Sequence, residues 1–224
     1  MVMSDLPAAR TRNMDARRQR ILDEAGRLLG VGGVEGLTLR GLAAAACVTV
    51  PTIYNLVGCK ERVVAALIAA SLDELEQAQT ALPAQRGLAR GEQAVRASTA
   101  LFFGDPARYG AVFRALQELQ HQPAAQAALG PLFRRAGDVY CQAVAEAQAA
   151  GDLHGRLLPV PLGHHILHAQ IENFRLWGVG SLPAPAVQAR AFYALHVSFM
   201  ADATRQGRKW LLERMRESEA LLDT

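Results

Sequence analysis

The sequence predicts an all-α protein: an N-terminal three-helix unit containing a helix-turn-helix, followed by a larger helical domain. Three observations lead there. Residues 38–60, TLRGLAAAACVTVPTIYNLVGCK, read as two short capped helices joined by a tight turn. Apolar residues recur at helical spacing in segment after segment, and no sustained two-residue alternation rich in Val, Ile and Thr interrupts them. At 224 residues, half of them apolar, the chain can bury a substantial core.

Residues 1–15 are polar and broken by Pro7, which predicts a flexible N-terminal arm. The helix-turn-helix domain is expected over 16–60. Its first helix carries Ile21, Leu22, Ala25, Leu28 and Leu29 on one face and stops at Gly32-Gly33. Thr38 can cap a second helix whose Leu39, Leu42, Ala43 and Ala46 share a face, and Cys47-Val48 ends it. Thr49 offers another cap, so a third helix opens at Val50 with Pro51 in its first turn, where a missing N–H does no harm. Thr52, Tyr54 and Asn55 would be exposed on it. Val34, Leu37, Val48, Ile53 and Val57 would close the small core.

A domain over 61–224 follows, entered through a long helix from Lys60 to about Leu82 with a stripe of Val63, Val64, Leu67, Ile68, Leu72 and Leu75. Proline and glycine punctuation predicts further helices over 88–103, 106–121, 124–150, 162–177 and 186–205, with Gly130-Pro131 kinking or splitting the third. A short amphipathic helix, Lys209 to Leu222, ends the chain.

No run of 18 apolar residues is present, and no apolar block follows the basic N-terminal residues, so neither a membrane span nor a secretory signal is expected. A cytoplasmic protein is the expectation. Cys47, Cys59 and Cys141 match no zinc module and are expected to be reduced. The net charge of +3 is unevenly placed: residues 1–62 hold nine Lys/Arg against six acids, and the remainder holds fifteen of each. Positive charge beside a helix-turn-helix suits a phosphate backbone, though it could equally be a solvated basic face.

Ile21-Leu22, Ala25, Leu28, Gly33, Thr38, Leu42-Ala43, Val48-Thr49 and Thr52-Ile53-Tyr54 through Lys60-Glu61 resemble, in order and spacing, the DNA-binding domain of the TetR family of transcriptional regulators. The match covers about residues 17 to 68. The resemblance implies that Thr38, Arg40, Thr49, Tyr54 and Lys60 meet phosphates of double-stranded operator DNA while Pro51, Thr52 and Asn55 face base edges. Hydroxyls and cations suit phosphate oxygens, and a side-chain amide can read a base edge. The chain departs from the family pattern at Leu56 and Val57, where aromatics or His are usual, and at Cys59, a poorer cap than Ser or Asn. Fewer phosphate contacts and a looser start to the long helix follow.

The resemblance further implies a homodimer, paired through the last two long helices, because one recognition helix spans only a few base pairs and a second copy must sit about 34 Å away. Ile166, Ile171, Phe174, Trp177, Phe192, Leu195, Phe199 and Met200 are the candidate interface residues, with filling of the subunit core as their other use. It also implies a cavity for a small effector among the middle helices, for which Phe102, Phe103, Tyr109, Phe113, Leu116, Gln117, Tyr140, Cys141 and Val144 are candidates. A lipophilic or aromatic compound would suit such a lining.

In LGHHILHAQIENF, His164, His168 and Glu172 recur every four residues along one helix face. A polar wall of the effector cavity (His168, Glu172), a dimer contact, or two ligands of a metal site remain open readings. The expected function is therefore a ligand-responsive repressor, neither an enzyme nor cofactor-dependent. Alternatives are a metal-assisted hydrolase built on that cluster, or a helical interaction protein with degenerate DNA binding.

Overall fold

The structure is a computed structural model that describes residues 6–119 and 121–222, with side chains described over 11–218 except Gln120. The described residues form α1 Leu6–Gly36, α2 Leu39–Ala45, α3 Val50–Leu56, α4 Lys60–Thr80, α5 Gly87–Gly104, α6 Pro106–Leu119, α7 Pro123–Ala149, α8 Pro159–Gly178, α9 Ala184–Met200 and α10 Arg205–Leu222. The only β pairing among them is an isolated bridge between Leu153 and Ala203. The all-α expectation holds.

The differences from the expected boundaries have local causes. Instead of an arm over 1–15, the chain is helical from Leu6 onward, and residues 1–5 lie outside the described residues. Pro7 sits in the first turn, where no intrahelical N–H bond is needed. All side chains over 11–20 are exposed, so no apolar stripe marks this part of the helix in the sequence. The regular helix stops at Gly33 (φ 61°, ψ −163°), as expected from the glycine pair, before one more turn reaches Gly36. Helix α7 is one helix running through Pro131, because the proline is on a solvent-facing side and the carbonyl freed at exposed Ala127 can meet water. Helix α8 begins three residues early, with Pro159 in its first turn. Helix α9 stops at Met200, where buried Asp202 accepts from the N–H groups of Gly155 (2.9 Å) and Arg156 (3.2 Å). Thr204 Oγ1 then accepts from the Gly207 N–H and starts α10 ahead of the expected Lys209.

Two apolar clusters hold the molecule together. The first runs without a break from Ile21, Leu29, Leu42 and Ile53, through Val63 and Ile68 on α4, to Phe102, Tyr109, Phe113 and Phe174. The helix-turn-helix unit therefore shares its core with the middle helices, α1 packing along both α4 and α6. The second joins α5, α7, α8, α9 and α10 around Val95, Val144, Ile166, Leu195, Phe199 and Leu211. Helices α7 and α8 approach closely through glycines: a Cβ on Gly163 would lie 2.6 Å from the Cys141 backbone N, and one on Gly137 would lie 2.6 Å from the His164 ring.

Candidate functional site

The outward face of α3 is built by two caps and one anchor. Thr38 Oγ1 accepts from the Gly41 N–H at 3.0 Å, fixing the start of α2. Thr49 Oγ1 accepts from the Thr52 N–H at 3.4 Å and lies 2.8 Å from the Thr52 hydroxyl, fixing the start of α3. Between the helices Cys47 adopts φ 53°, a left-handed conformation that only a tight turn imposes on a residue with a Cβ. Ile53 is wholly buried and pins α3 to the core. Its neighbours turn outward: Pro51 and Asn55 are exposed and Tyr54 is 55% exposed. Thr38, Arg40 and Thr49 are exposed, while Thr52 and Lys60 are half-buried. Of the eight residues expected to face DNA, six are exposed and two half-buried, spread over the starts of α2, α3 and α4 and the length of α3. Cys59 places no side-chain bond on the start of α4. Its thiol instead bonds to Glu61, and that bond, followed by Glu61's own backbone N–H, holds the carboxyl below the usual range.

A second site lies within the middle helices. An apolar cavity of about 100 Å³ is walled by α4, α5, α6, α7 and α8. Phe102, Tyr109, Phe113, Leu116 and Tyr140, all expected there, line it. The rings form a nest, with Phe102 centroids 5.0 Å from Tyr109, 5.2 Å from Phe113 and 4.9 Å from Phe174. Burial, then a hydrogen bond donated to the Glu74 carboxylate, pushes the Tyr109 phenol above its ordinary range, and burial alone does so for Tyr140. The cavity shares Leu72, Leu75, Gln79, Ala94, Ala136 and Val139 with an open groove of about 470 Å³. Arg135 of α7 crosses the rim of that groove to Asp73 and Glu76 of α4, both at 2.6 Å.

Other expected cavity residues stand elsewhere. Phe103 packs on Phe174 and Trp177 outside the lining. Gln117 is outside it too, its Oε1 buried with no partner among the described residues. Val144 is packed in the second core. Cys141 lies at the α7–α8 crossing, 3.8 Å from the Val160 carbonyl, and burial followed by the nearby Asp138 raises its thiol pKa. His168 is exposed, with Nδ1 2.7 Å from the His164 carbonyl oxygen. Glu172 is exposed and bound to Arg175 at 2.5 Å, which holds its carboxyl low. With His164 against Gly137, these three groups do not converge, and no three His, Cys, Asp or Glu among the described residues are placed to hold a metal.

The expected interface residues mostly point inward. Ile166, Leu195 and Phe199 are wholly buried in the second core, and Phe174, only 3% exposed, lines the cavity, so none is left for a partner. Trp177 and Ile171 are half-buried against the first core, and Ile171 also lines the cavity. Phe192 lies under the Arg96 guanidinium, and Met200 packs on the second core. The outward residues of α8 and α9 include His165, His168, Glu172, Gln188 and Val197. Sequence reading missed Gln170, Leu167 and the α4 residues Ile68 and Leu72 as cavity lining. The available signal was Gln170 itself, one of two polar residues, with Asn173, at helical spacing among Ile166, Leu167 and Phe174.

No protein-family model and no curated protein sequence matches the chain. Solved structures do. A TetR transcriptional regulator from Agrobacterium tumefaciens superposes with a TM-score of 0.59 at 19% identity, over 87% of this chain and 98% of the other. A TetR-family transcriptional regulator from Marinobacter aquaeolei VT8 gives 0.57 at 14% identity, over 90% and 98%. A protein from Shewanella sp. PV-4, described as a tetR family transcription regulator, gives 0.62 at 21%, over 84% and 99%. A helix-turn-helix with α3 exposed on one side, a core shared with the middle helices and these superpositions over most of each chain lead to one conclusion: the protein has the fold of the TetR-family transcriptional regulators.

Proposed function

We propose that the protein is a DNA-binding transcriptional regulator that acts as a homodimer and is released from its operator by a small lipophilic effector. The observation that carries the reading is the division of labour on α3: Ile53 is buried while Pro51, Tyr54 and Asn55 are exposed. A helix held rigidly from behind and bare in front is what insertion into a major groove requires. Thr49, Tyr54, Arg40 and Lys60 contact the backbone, and Asn55, Thr52 and Pro51 contact bases.

Pairing of two copies uses the outward face of α8 and α9, where His165, His168, Glu172 and Val197 stand, in place of the inward aromatics. The effector occupies the apolar cavity. Two wall residues reach directly toward the small domain, since Ile68 belongs to α4 and Leu116 to α6, and α1 rests on both helices. A ligand that prefers one spacing of α4 and α6 shifts the separation of the two recognition helices. A coupling of about 1–3 kcal/mol changes operator occupancy severalfold or more.

The test is a gel shift on DNA flanking the protein's own gene. Asn55→Ala should weaken retention roughly tenfold or more, in line with about 1–3 kcal/mol for a bidentate base contact. Arg40→Ala should flatten the salt dependence. Retention indifferent to both substitutions would remove α3 as the reader.

A further inference from the structure

We propose that the base pairs covered by α3 are A·T pairs, with an adenine opposite Asn55; this rests on α3 being the DNA reader, as proposed above, and narrows that role to the bases it selects. Pro51, Tyr54 and Asn55 stand at positions i, i+3 and i+4, within about 100° of one another around the helix, and the wholly buried Ile53 is on the other side. At seven residues, α3 is about 10 Å long and spans roughly three base pairs at about 3.4 Å each.

Each base pair presents its own set of donors, acceptors and methyl in the major groove. Guanine shows two neighbouring acceptors, which a guanidinium or ammonium meets with donors, and cytosine shows a donor, which a carboxylate meets. The residues of α3, Val50 to Leu56, include no Arg, Lys, His, Asp or Glu. Neither base of a G·C pair therefore finds its usual partner on this helix. Asn55 is the one side chain of α3 that sets a fixed donor beside a fixed acceptor, and its amide can donate to adenine N7 while accepting from adenine N6. It is exposed and makes no hydrogen bond among the described residues, so no internal bond is broken when it binds.

The other side chains of α3 do not offset this preference. Tyr54 and Thr52 carry hydroxyls, which both donate and accept and so distinguish bases poorly, and the Thr52 hydroxyl is already 2.8 Å from that of Thr49. Val50 and Leu56 pack on the first core. Exposed Pro51 offers only hydrocarbon, which suits the methyl of thymine. The cations that flank α3 in the sequence stand on other helices: Arg40 on α2, and Lys60 and Arg62 on α4, Arg62 lying against Gly58 beyond the end of α3. A guanine in the operator is thus left to those residues, at pairs outside the span of α3.

Selection of a randomised duplex library by the full chain, followed by fluorescence anisotropy on the selected duplex, tests this. The expected site has two half-sites, each holding a run of about three A·T pairs. One adenine in each run should lose its preference when the selection is repeated with Asn55→Ala. Replacing that adenine by 7-deazaadenine, which keeps the Watson–Crick pair and removes only the N7 acceptor, should weaken binding by the parent about tenfold and leave binding by Asn55→Ala unchanged. Asn55→Arg should move the preference at the same pair to guanine. A selected site in which the pair released by Asn55→Ala is G·C overturns the proposal, and so does a preference that Asn55→Ala leaves intact at every pair. Should Asn55→Ala enrich no sequence, a 7-deazaadenine scan of the parent's site decides: an adenine of the run that costs about tenfold supports the proposal, and none overturns it. A library from which the parent itself enriches nothing removes the DNA-binding function together with this inference, so the two failures are told apart.

Discussion

Tyr109 of α6 places its ring in the cavity wall and its hydroxyl on the Glu74 carboxylate of α4. The same residue thus touches the cavity and the helix that leads out of the helix-turn-helix unit. Arg108, next in the chain, holds the other Glu74 oxygen at 2.5 Å, so the carboxylate is clamped from α6 by two residues.

Tyr109→Phe keeps the ring and deletes that bond. It should cost about 1–2 kcal/mol in urea unfolding, the worth of a hydrogen bond to a charged group that is partly exposed. A pH signature accompanies it. Because the folded-state phenol is raised above its unfolded value of 10.0, its contribution is complete below pH 10 and is lost as pH rises beyond it. The variant should lose less stability than the parent as pH rises through 10; parallel curves would show that burial and the bond together do not hold the phenol protonated.

Glu92 of α5 and His196 of α9 form a buried pair at 2.9 Å, with Arg96 at 3.3 Å and Arg214 at 3.8 Å from the same carboxylate. Burial raises the Glu92 carboxyl, but the His196 bond and charge, together with Arg214 and Arg96, bring it below the ordinary range. The stability it contributes is present above about pH 4.5 and is lost as pH falls through the lowered value. Glu92→Ala strands His196, whose Nδ1 already lacks a partner among the described residues, and should cost about 3 kcal/mol. Denaturant melts at pH 7 and pH 4 check both statements, and a variant as stable as the parent at pH 7 refutes the first.

Cys47 pays for its turn in backbone strain, holding φ 53° with a Cβ where glycine would be free. Cys47→Gly should raise stability by about 1 kcal/mol, read as a shift in the urea midpoint. The thiol is exposed, so no packing is lost to offset the gain. A lower midpoint would mean that the turn is set by contacts of the side chain.

Gly163→Ala would drive a methyl to 2.6 Å from both the backbone N and the Sγ of Cys141. Helices α7 and α8 must then separate along a shared core, at about 1–3 kcal/mol. Adding Cys141→Ala removes the sulfur but leaves the backbone contact, so the double variant should recover only part of the loss. Full recovery would place the whole clash on the thiol.

The helix-turn-helix was legible because its signals are local. Thr38 and Thr49 cap within three residues of themselves, Pro51 tolerates only a first-turn position, and Ile53 repeats the core spacing of Leu42. The ends of α1 and α7 were less so, because an exposed helix such as residues 11–20 has no apolar stripe to announce it, and Pro131 ends a helix only where its freed carbonyl cannot reach water. Sequence spacing gave the inward stripe of α8 but not its destination, which is why Phe174 was expected at an interface and stands in a cavity wall.

Taken alone, the order of residues settled that the chain is helical, where most of its helices lie, and that α3 is capped at its start and polar on its exposed side. Tertiary structure decided which aromatics enclose empty space, that Cys141 belongs to a helix crossing, that Glu172 is tied to Arg175, and that Gln170 is left with an unsatisfied oxygen. The physical reason is range: caps and periodicity act within a turn or two of helix, whereas a cavity is the space left where five helices meet.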